Sequence, residues 1–202
     1  MRTHPRLQNK ASVHSEVKLT RMVVCLTGMP GAGKSTAAED SEAVGFKVFR
    51  MGDDVRMEVQ KRKLAPTDEN LGAIMLQLRQ AGGPVAIASL CKQRIEKNSK
   101  SRHVVIDGVR NMNEFLEFKK LGSVVLVSIH APPLRRFKFL QARGRSDSPR
   151  SFESFEARDR RELSVGIGEA IALADEIIIN SGSIEGLKNQ LTLLLKKLKK
   201  GD

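Results

Sequence analysis

The residues best suited to chemistry form a run of nine, numbered 28 to 36, with the sequence Gly-Met-Pro-Gly-Ala-Gly-Lys-Ser-Thr. This is the spacing of a phosphate-binding loop, in which glycines allow successive backbone N–H groups to point at one anion. Lys34 can then reach the β- and γ-phosphates of a nucleoside triphosphate, and the Ser35 hydroxyl can bind Mg²⁺. We predict that ATP is bound by the whole run: Gly28, Met29, Pro30, Gly31, Ala32, Gly33, Lys34, Ser35 and Thr36.

The flanking residues distinguish this loop from a chance Gly-Pro turn. The apolar run 22–26 precedes it and has the character of a buried strand, whereas residues 37–40 favour a helix. A strand before the loop and a helix after it are the context that the phosphate-loop motif requires. The helix also directs the positive end of its dipole at the bound phosphates.

A phosphate-loop site needs a second acidic group for its metal ion, and Asp107 is the candidate. It ends the apolar run 104–106, and a carboxylate at the end of such a strand commonly meets the Mg²⁺ shell. The alternative is that Asp107 only begins a simple Asp-Gly turn. Because a phosphate loop is present, we prefer the interpretation of Asp107 as a metal ligand. Gly108 follows Asp107. Machines that hydrolyse ATP usually carry a glutamate at this position to orient water, so the glycine favours transfer of the phosphoryl group to an acceptor over hydrolysis.

Residues 52–56, Gly-Asp-Asp-Val-Arg, open a helical pattern. First-turn acids offset the helix dipole, which is our interpretation of Asp54. The segment also resembles the Gly-Asp-x-x-Arg motif that adenylate kinases and other nucleoside monophosphate kinases carry after their second strand. The resemblance implies that Arg56 holds the acceptor's phosphate. Asp53 would be the base if the acceptor is a hydroxyl, and a positioning group if it is a phosphate.

Two further segments extend this resemblance. Residues 107–110, Asp-Gly-Val-Arg, are similar to the Asp-Gly-Phe-Pro-Arg of the same kinases without the proline, which implies that Arg110 is a second acceptor clamp. Residues 174–183 resemble the last strand and loop of dephospho-coenzyme A kinase, which lie beside the nucleotide base, although that family's Asp-x-x-x-x-x-His segment is not evident. Over residues 22–198 the pattern is similar to an archaeal group of uncharacterised P-loop kinases related to both enzymes.

Arginine is most frequent between residues 135 and 161. Such a charge run is usually a solvated helix face, and nearby acids at helical spacing could pair with about half of these arginines. The segment also occupies the place of the lid in the related kinases, and residues 143–149 break it into two helices. An arginine that closes over the γ-phosphoryl group stabilises transition-state charge. We predict a lid at about 143–158 in which Arg143, and secondarily Arg158, has this role.

Strand-like and helical segments alternate after residue 20, which predicts an α/β P-loop NTPase fold with a five-stranded parallel sheet flanked by helices. This domain would cover residues 21–202 and include a helical acceptor region and the arginine-rich lid. Residues 1–20 are polar and lack periodicity, so we expect a disordered basic extension. The predicted strands are 21–27, 46–50, 103–107, 123–129 and 175–179. The predicted helices are 34–44, 52–63, 68–81, 84–98, 111–120, 132–143, 153–173 and 183–199.

Composition narrows the choice of partners. No apolar run approaches membrane-spanning length, and the two cysteines fall in apolar patterns, so we expect a cytoplasmic protein without a membrane partner. The net charge of +12 invites a nucleic-acid partner, but much of it lies at the chain ends. The lack of Trp and Tyr, and the core spacing of most of the eight Phe, argue against a platform for base stacking. The expected partner is a small-molecule acceptor, with the oligomeric state open.

Two functions are compatible with these patterns. The first is a kinase that moves the γ-phosphoryl group of ATP to a nucleotide-like acceptor, of the nucleoside monophosphate or dephospho-coenzyme A type. The alternative is a P-loop NTPase switch or a nucleic-acid-associated NTPase without small-molecule kinase activity. The lack of an Asn-Lys-x-Asp guanine-binding motif argues against a GTPase, and we favour the kinase.

Overall fold

Five parallel strands form one sheet in the computed structural model, which describes residues 21–201. The spatial order is β2-β3-β1-β4-β5, so β1 lies at the centre between β3 and β4. The predicted five-stranded parallel sheet is confirmed, and each strand falls within two residues of its predicted bounds. The strands are β1 Arg21–Thr27, β2 Lys47–Arg50, β3 His103–Asp107, β4 Gly122–His130 and β5 Glu176–Ile179.

Helices connect the strands and cover both faces of the sheet. Hydroxyl or amide side chains cap several of them by accepting an N–H of the first turn, as Thr67 does for α3 and Ser183 for α9. The α-helices are α1 Lys34–Ala37, α2 Met51–Lys61, α3 Asp68–Gly82, α4 Ala86–Asn98, α5 Met112–Phe118, α6 Pro133–Ala142, α7 Phe152–Ser164, α8 Ile167–Ala172 and α9 Ile184–Lys200. Two 3₁₀ helices span Ala38–Val44 and Lys119–Leu121.

The core has two parts, one on each face of the sheet. Along β1, Val23 and Cys25 pack towards α2, α3, α4 and α5, whereas Val24 and Leu26 pack towards α9. Successive side chains of a strand point to opposite faces, so a strand buried on both faces is apolar at every position. This explains the uninterrupted apolar run before the phosphate loop.

Two predicted helices are wrong in detail. The predicted helix 153–173 is two helices, because Gly166 adopts a left-handed conformation with φ of 98° and ends the first of them. The predicted helix 34–44 is α-helical only to Ala37 and continues as a 3₁₀ helix, so the turn after the phosphate loop is short.

The topology determines where a site can form. All strands are parallel, so the loops that follow β1, β3 and β4 emerge at the same edge of the sheet, where ligands bind in open α/β folds. In residues 21–201 we find no helix both long and apolar enough to cross a bilayer. The predicted basic extension at 1–20 lies outside the described residues.

Candidate functional site

The phosphate loop joins β1 to α1, and its glycines are required by its shape. Gly28 has φ of 135°, and a Cβ there would lie 2.1 Å from the carbonyl oxygen of Ile129. Gly33 has φ of 103°, and a Cβ there would lie 2.7 Å from a methyl carbon of Leu187. Both positions therefore exclude side chains, for conformational and for steric reasons. The loop packs directly on β4 and α9, as a rigid anion cradle would.

Two side chains from distant parts of the chain support the loop. The Asn180 amide, after β5, donates to the carbonyl of Ala32 over 3.0 Å. Arg136 of α6 is buried and donates to the carbonyl of Pro30 over 3.1 Å, while both of its terminal nitrogens bind the Asp159 carboxylate at 2.8 and 2.5 Å. Sequence reasoning missed both supports, because no local pattern relates α6 or the β5 loop to residues 30–32.

Lys34 is half-buried and points back along the loop. Its ammonium donates to the carbonyls of Gly28 at 2.6 Å and Met29 at 3.2 Å. The surrounding walls desolvate the charge, which lowers the pKa of Lys34 to about 8, and the nearby Asp107 carboxylate opposes this only in part. The ammonium is thus held where a phosphate could replace two carbonyl contacts with a much stronger partner.

Ser35 and Asp107 come together as the two predicted metal-binding residues. The Ser35 hydroxyl donates to the Asp107 carboxylate over 2.5 Å. The N–H groups of Gly108 and Val109 both donate to the carbonyl of Leu26, which ties the end of β3 to the end of β1. A hydroxyl and a carboxylate are oxygen donors of the type that Mg²⁺ prefers, so this pair fits the ion.

The described residues offer no larger cluster of metal-binding side chains. Among residues 21–201 there is no group of three or more His, Cys, Asp or Glu side chains that could hold a metal ion. A magnesium ion at Ser35 and Asp107 would therefore rely on phosphate oxygens and water for its other ligands, which is usual for Mg²⁺ at nucleotide sites.

A cavity of about 420 Å³ opens in front of this pair. The phosphate loop forms one wall, the segments after β2 and β3 form another, and α6, α7 and α9 close the rest. A neighbouring cavity of about 350 Å³ lies beyond Arg56. The large cavity brings together most of the sequence-predicted residues: Gly28, Pro30, Gly31, Gly33, Lys34, Ser35, Thr36, Arg56, Asp107, Arg110, Arg143 and Arg158. Asp53 lines only the neighbouring cavity.

Arg56 and Arg110, the two arginines predicted to hold the acceptor, differ in how firmly their side chains are held. Arg56 lies 3.5 Å from the Asp53 carboxylate, and both side chains are about 40% exposed (40% and 44%). Arg110 donates from Nε to the buried Glu162 carboxylate over 2.5 Å and from Nη1 to the carbonyl of Gly108 over 3.1 Å. Arg56 is therefore free to turn towards a ligand, whereas Arg110 forms a fixed part of the wall.

Asp54 lies in the first turn of α2, as predicted, and it has a further role that the sequence did not indicate. Asp54 is buried, and its two oxygens accept from Arg94 of α4 at 3.0 and 2.9 Å. Arg94 also donates to the carbonyl of Arg50 over 2.7 Å. The carboxylate therefore joins α4 to the start of α2, which anchors the segment that carries Asp53 and Arg56.

The predicted lid arginines are both paired with carboxylates. Arg143 binds Asp147 at 3.0 Å, and Arg158 binds Asp147 and Asp68 at 3.2 Å each. Burial alone would raise the pKa of Asp147, but Arg143 and Arg158 outweigh it and hold that pKa below its ordinary value. The buried Asp147 is thus an anion held between the two arginines at the cavity wall.

The fold and this loop define the class: the chain has a P-loop NTPase fold. A family model described as an AAA domain matches residues 27–156, from the end of β1 into α7. The chain is 43% identical to UPF0200 protein MJ1399 of Methanocaldococcus jannaschii over 178 residues, covering 88% of this chain and 90% of the relative. It therefore belongs to the UPF0200 family.

Further relatives and a solved structure agree with this assignment. The chain is 40% identical to UPF0200 protein PYRAB09750 of Pyrococcus abyssi over 182 residues, covering 88% of this chain and 97% of the relative. The structure of TT1252 from Thermus thermophilus matches with a TM-score of 0.59 at 20% identity, covering 89% of this chain and 98% of that one. The expected resemblance to an archaeal P-loop family is confirmed, and the structural match supports the fold.

Proposed function

We propose that the protein is an ATP-dependent phosphotransferase that moves the γ-phosphoryl group to a phosphorylated small molecule of the nucleotide type. The observation that carries this proposal is one continuous cavity. Lys34, Ser35 and Asp107 line it together with Arg56 and Arg110. A donor triphosphate and an anionic acceptor could therefore meet within a single enclosed space.

The donor side follows from the loop. Its backbone N–H groups and the Lys34 ammonium would hold the β- and γ-phosphates, and Ser35 and Asp107 would hold the magnesium ion. When bound there, Mg²⁺ would supply positive charge that offsets the negative charge of the phosphates. Phosphoryl transfer needs little covalent chemistry from the protein, so catalysis would come from positioning and electrostatics.

The acceptor side favours transfer over hydrolysis. Position 108, where ATP-hydrolysing machines usually carry glutamate, has φ of 110°, a conformation that side-chain-bearing residues rarely adopt. A carboxylate that orients water is therefore disfavoured there by the backbone itself. Arg56, with Arg110 behind it, would hold the acceptor's anionic group, and Asp53 would orient Arg56. Asp53 lines only the neighbouring cavity, so this arrangement favours its role as a positioning group over its role as a base.

The lid would complete the site. Arg143 and Arg158 already face the cavity, each bound to Asp147. A bound triphosphate carries several negative charges against one on the carboxylate, so it would attract these guanidinium groups away from Asp147 or share them with it. These substrates fit a cytoplasmic enzyme.

The proposal is tested by ADP formation with Mg²⁺-ATP and a panel of acceptors that includes nucleoside monophosphates, dephospho-coenzyme A and other phosphorylated hydroxyl compounds. Lys34→Ala should abolish acceptor-dependent turnover, because it removes the main cation at the donor phosphates. Lys61→Ala is the matched control, since that lysine is 75% exposed on α2 and away from the cavity. If wild-type protein binds ATP yet no acceptor raises ADP release, the proposal is wrong.

The same assay distinguishes the proposed kinase from the alternative NTPase function. A switch or nucleic-acid-associated NTPase would release ADP steadily without any small acceptor, and RNA or DNA would stimulate it in a strongly salt-dependent way. Deletion of residues 1–20 should leave acceptor-dependent turnover unchanged if the kinase proposal holds. The cut should spare Arg21, because its guanidinium binds the carbonyls of Ser99 and Ser101 at 3.0 and 3.1 Å.

A further inference from the structure

The neighbouring cavity beyond Arg56 is lined by three arginines and two carboxylates. It measures about 350 Å³ and shares four of its lining residues with the larger cavity, so a single ligand could extend from one into the other. The shared residues are Arg50, Arg56, Arg145 and Asp147. The remaining walls come from Asp53, Pro66, Leu71 and Ser146.

The three arginines outweigh the carboxylates available to them. Asp147 is already bound to Arg143 and Arg158, and the other carboxylate at this wall is Asp53. Asp53 contacts Arg56 at 3.5 Å, which is long for an ion pair. The guanidinium groups of Arg50 and Arg145 have neither a hydrogen-bond nor an ion-pair partner within the described part of the chain.

Arg50 is the informative member of this group. It is half-buried, and a partly desolvated cation without a partner is costly unless a ligand supplies the missing charge. Its backbone is held by Arg94, whose guanidinium donates to the Arg50 carbonyl, so its position on the wall is determined.

The start of α2 presents backbone N–H groups beside these arginines, with Asp53 and Asp54 in its first turn. Arg50 is the residue before this 11-residue helix, and no side chain caps the helix. Uncapped N–H groups and the helix dipole favour an anion at this end. Gly52, in the first turn, lines the larger cavity, so the helix start faces the same space as the arginines.

We propose that this second cavity binds a phosphate or diphosphate group of the acceptor that does not itself react. The inference rests on the proposed function and narrows its acceptor: the molecule would carry an anionic group remote from the group that receives the γ-phosphoryl. A simple nucleoside monophosphate would leave the second cavity empty, since its one phosphate is the reacting group. Pro66 and Leu71 form the apolar wall of this cavity, and no aromatic ring lines it. The cavity would therefore recognise its ligand by charge and not by stacking on a base.

A binding experiment tests the site without turnover. The protein is first saturated with Mg²⁺ and a non-hydrolysable ATP analogue, and inorganic phosphate is then titrated at constant ionic strength. Wild type should bind phosphate, and Arg50→Gln and Arg145→Gln should each weaken binding at least about tenfold, because each removes charge-assisted hydrogen bonds. Arg62→Gln is the matched control, since that arginine follows α2 but binds Glu58 and Gln77 outside the cavity.

Two outcomes would overturn the inference: no phosphate binding to the saturated wild type, or unchanged affinity in both variants with folding intact by circular dichroism. Arg145 lies in an exposed loop, so its variant should fold even if the Arg50 variant does not. In the acceptor panel, a compound with a second phosphate should have a lower KM than its matched compound without one, and Arg145→Gln should raise that KM while kcat changes little. Failure of the proposed function would instead appear as an absence of acceptor-dependent ADP release.

Discussion

The Ser35 hydroxyl donates to the Asp107 carboxylate over 2.5 Å, although the two residues lie 72 positions apart. The contact exists because β1 and β3 are neighbours in register, with Leu26 opposite Asp107. The end of β3 therefore faces the first turn after the phosphate loop. These two oxygens would hold the Mg²⁺ ion.

Asp107→Asn should therefore keep the fold but lose Mg²⁺-dependent function. An amide oxygen is a weaker ligand for a divalent cation than a carboxylate, so we expect the Mg²⁺ concentration for half-maximal activity to rise at least about tenfold and kcat to fall by about 10² or more. Initial rates over a magnesium titration measure both. Asp40→Asn is the control, on an acid that is 50% exposed. Equal magnesium dependence in both variants would exclude Asp107 as a ligand.

Nucleotide affinity should depend on pH through Lys34. Its pKa is lowered to about 8 in the free protein, and bound phosphates should raise it again. Below pH 8 the Lys34 amine is already charged, so nucleotide binding is accompanied by little proton uptake. Above pH 8 binding must add a proton, so affinity should fall by up to about tenfold per pH unit.

Calorimetry at pH 8.5 in buffers of different ionisation enthalpy measures the proton uptake directly. Lys34→Gln should bind weakly and lose the pH dependence. A wild-type affinity that stays flat between pH 7 and 9.5, without proton uptake, would show that Lys34 does not contact the phosphates.

Gly28→Ala should be far more damaging than Gly144→Ala. Both glycines have positive φ, 135° and 59°, but only the Cβ at 28 would collide with backbone, at 2.1 Å from the Ile129 carbonyl oxygen. We expect a loss of about 3 kcal/mol or more in the free energy of unfolding at Gly28. At Gly144 the strain alone should cost about 1 to 2 kcal/mol. Chemical denaturation compares the two, and equal losses would mean that the loop can shift away from β4.

Arg143→Ala should lower kcat more than it raises KM. An arginine over the transferring phosphoryl group is worth about 10³ to 10⁵ in rate in other systems, and a partly exposed one should contribute at least about 10². Arg150→Ala, on an exposed arginine between α6 and α7, is the control. If Arg158→Ala has the large effect and Arg143→Ala does not, the catalytic lid residue is Arg158.

Arg79→Met should destabilise the protein strongly. Arg79 of α3 forms an ion pair with Glu114 of α5, and both side chains are buried. Burial raises the pKa of Glu114 above its ordinary value, with Arg79 opposing that shift. The variant would leave a buried carboxyl group without its partner, at a cost of about 3 to 5 kcal/mol.

The matched control for this pair is Arg62→Met, which breaks a pair with Glu58 that is 41% and 25% exposed and should cost less than about 1 kcal/mol. Urea denaturation gives both values. A loss below 1 kcal/mol at Arg79 would mean that the Glu114 carboxyl group is satisfied by protonation or by the hydrogen bond that it accepts from the Arg110 backbone N–H.

The sequence by itself determined the phosphate loop and the class of fold. The loop could be recognised because its anion-binding groups are contiguous backbone N–H groups, with Lys34 and Ser35 directly after them. The sheet could be predicted because strands buried on both faces leave uninterrupted apolar runs between amphipathic helices. Asp107 followed from its place at the end of such a run. The break at Gly166 was missed, because a helical period on both sides hides one left-handed residue.

Only the tertiary structure decided how the remaining side chains are used. An arginine can pair with any carboxylate within reach, and reach depends on packing between elements that are far apart in the chain. Thus Arg136 supports the loop, Arg110 is held by Glu162, and Arg143 shares Asp147 with Arg158. Arg50 stayed unnoticed for the same reason: what distinguishes it is the absence of a partner in a cavity, and a cavity is a property of the packed fold.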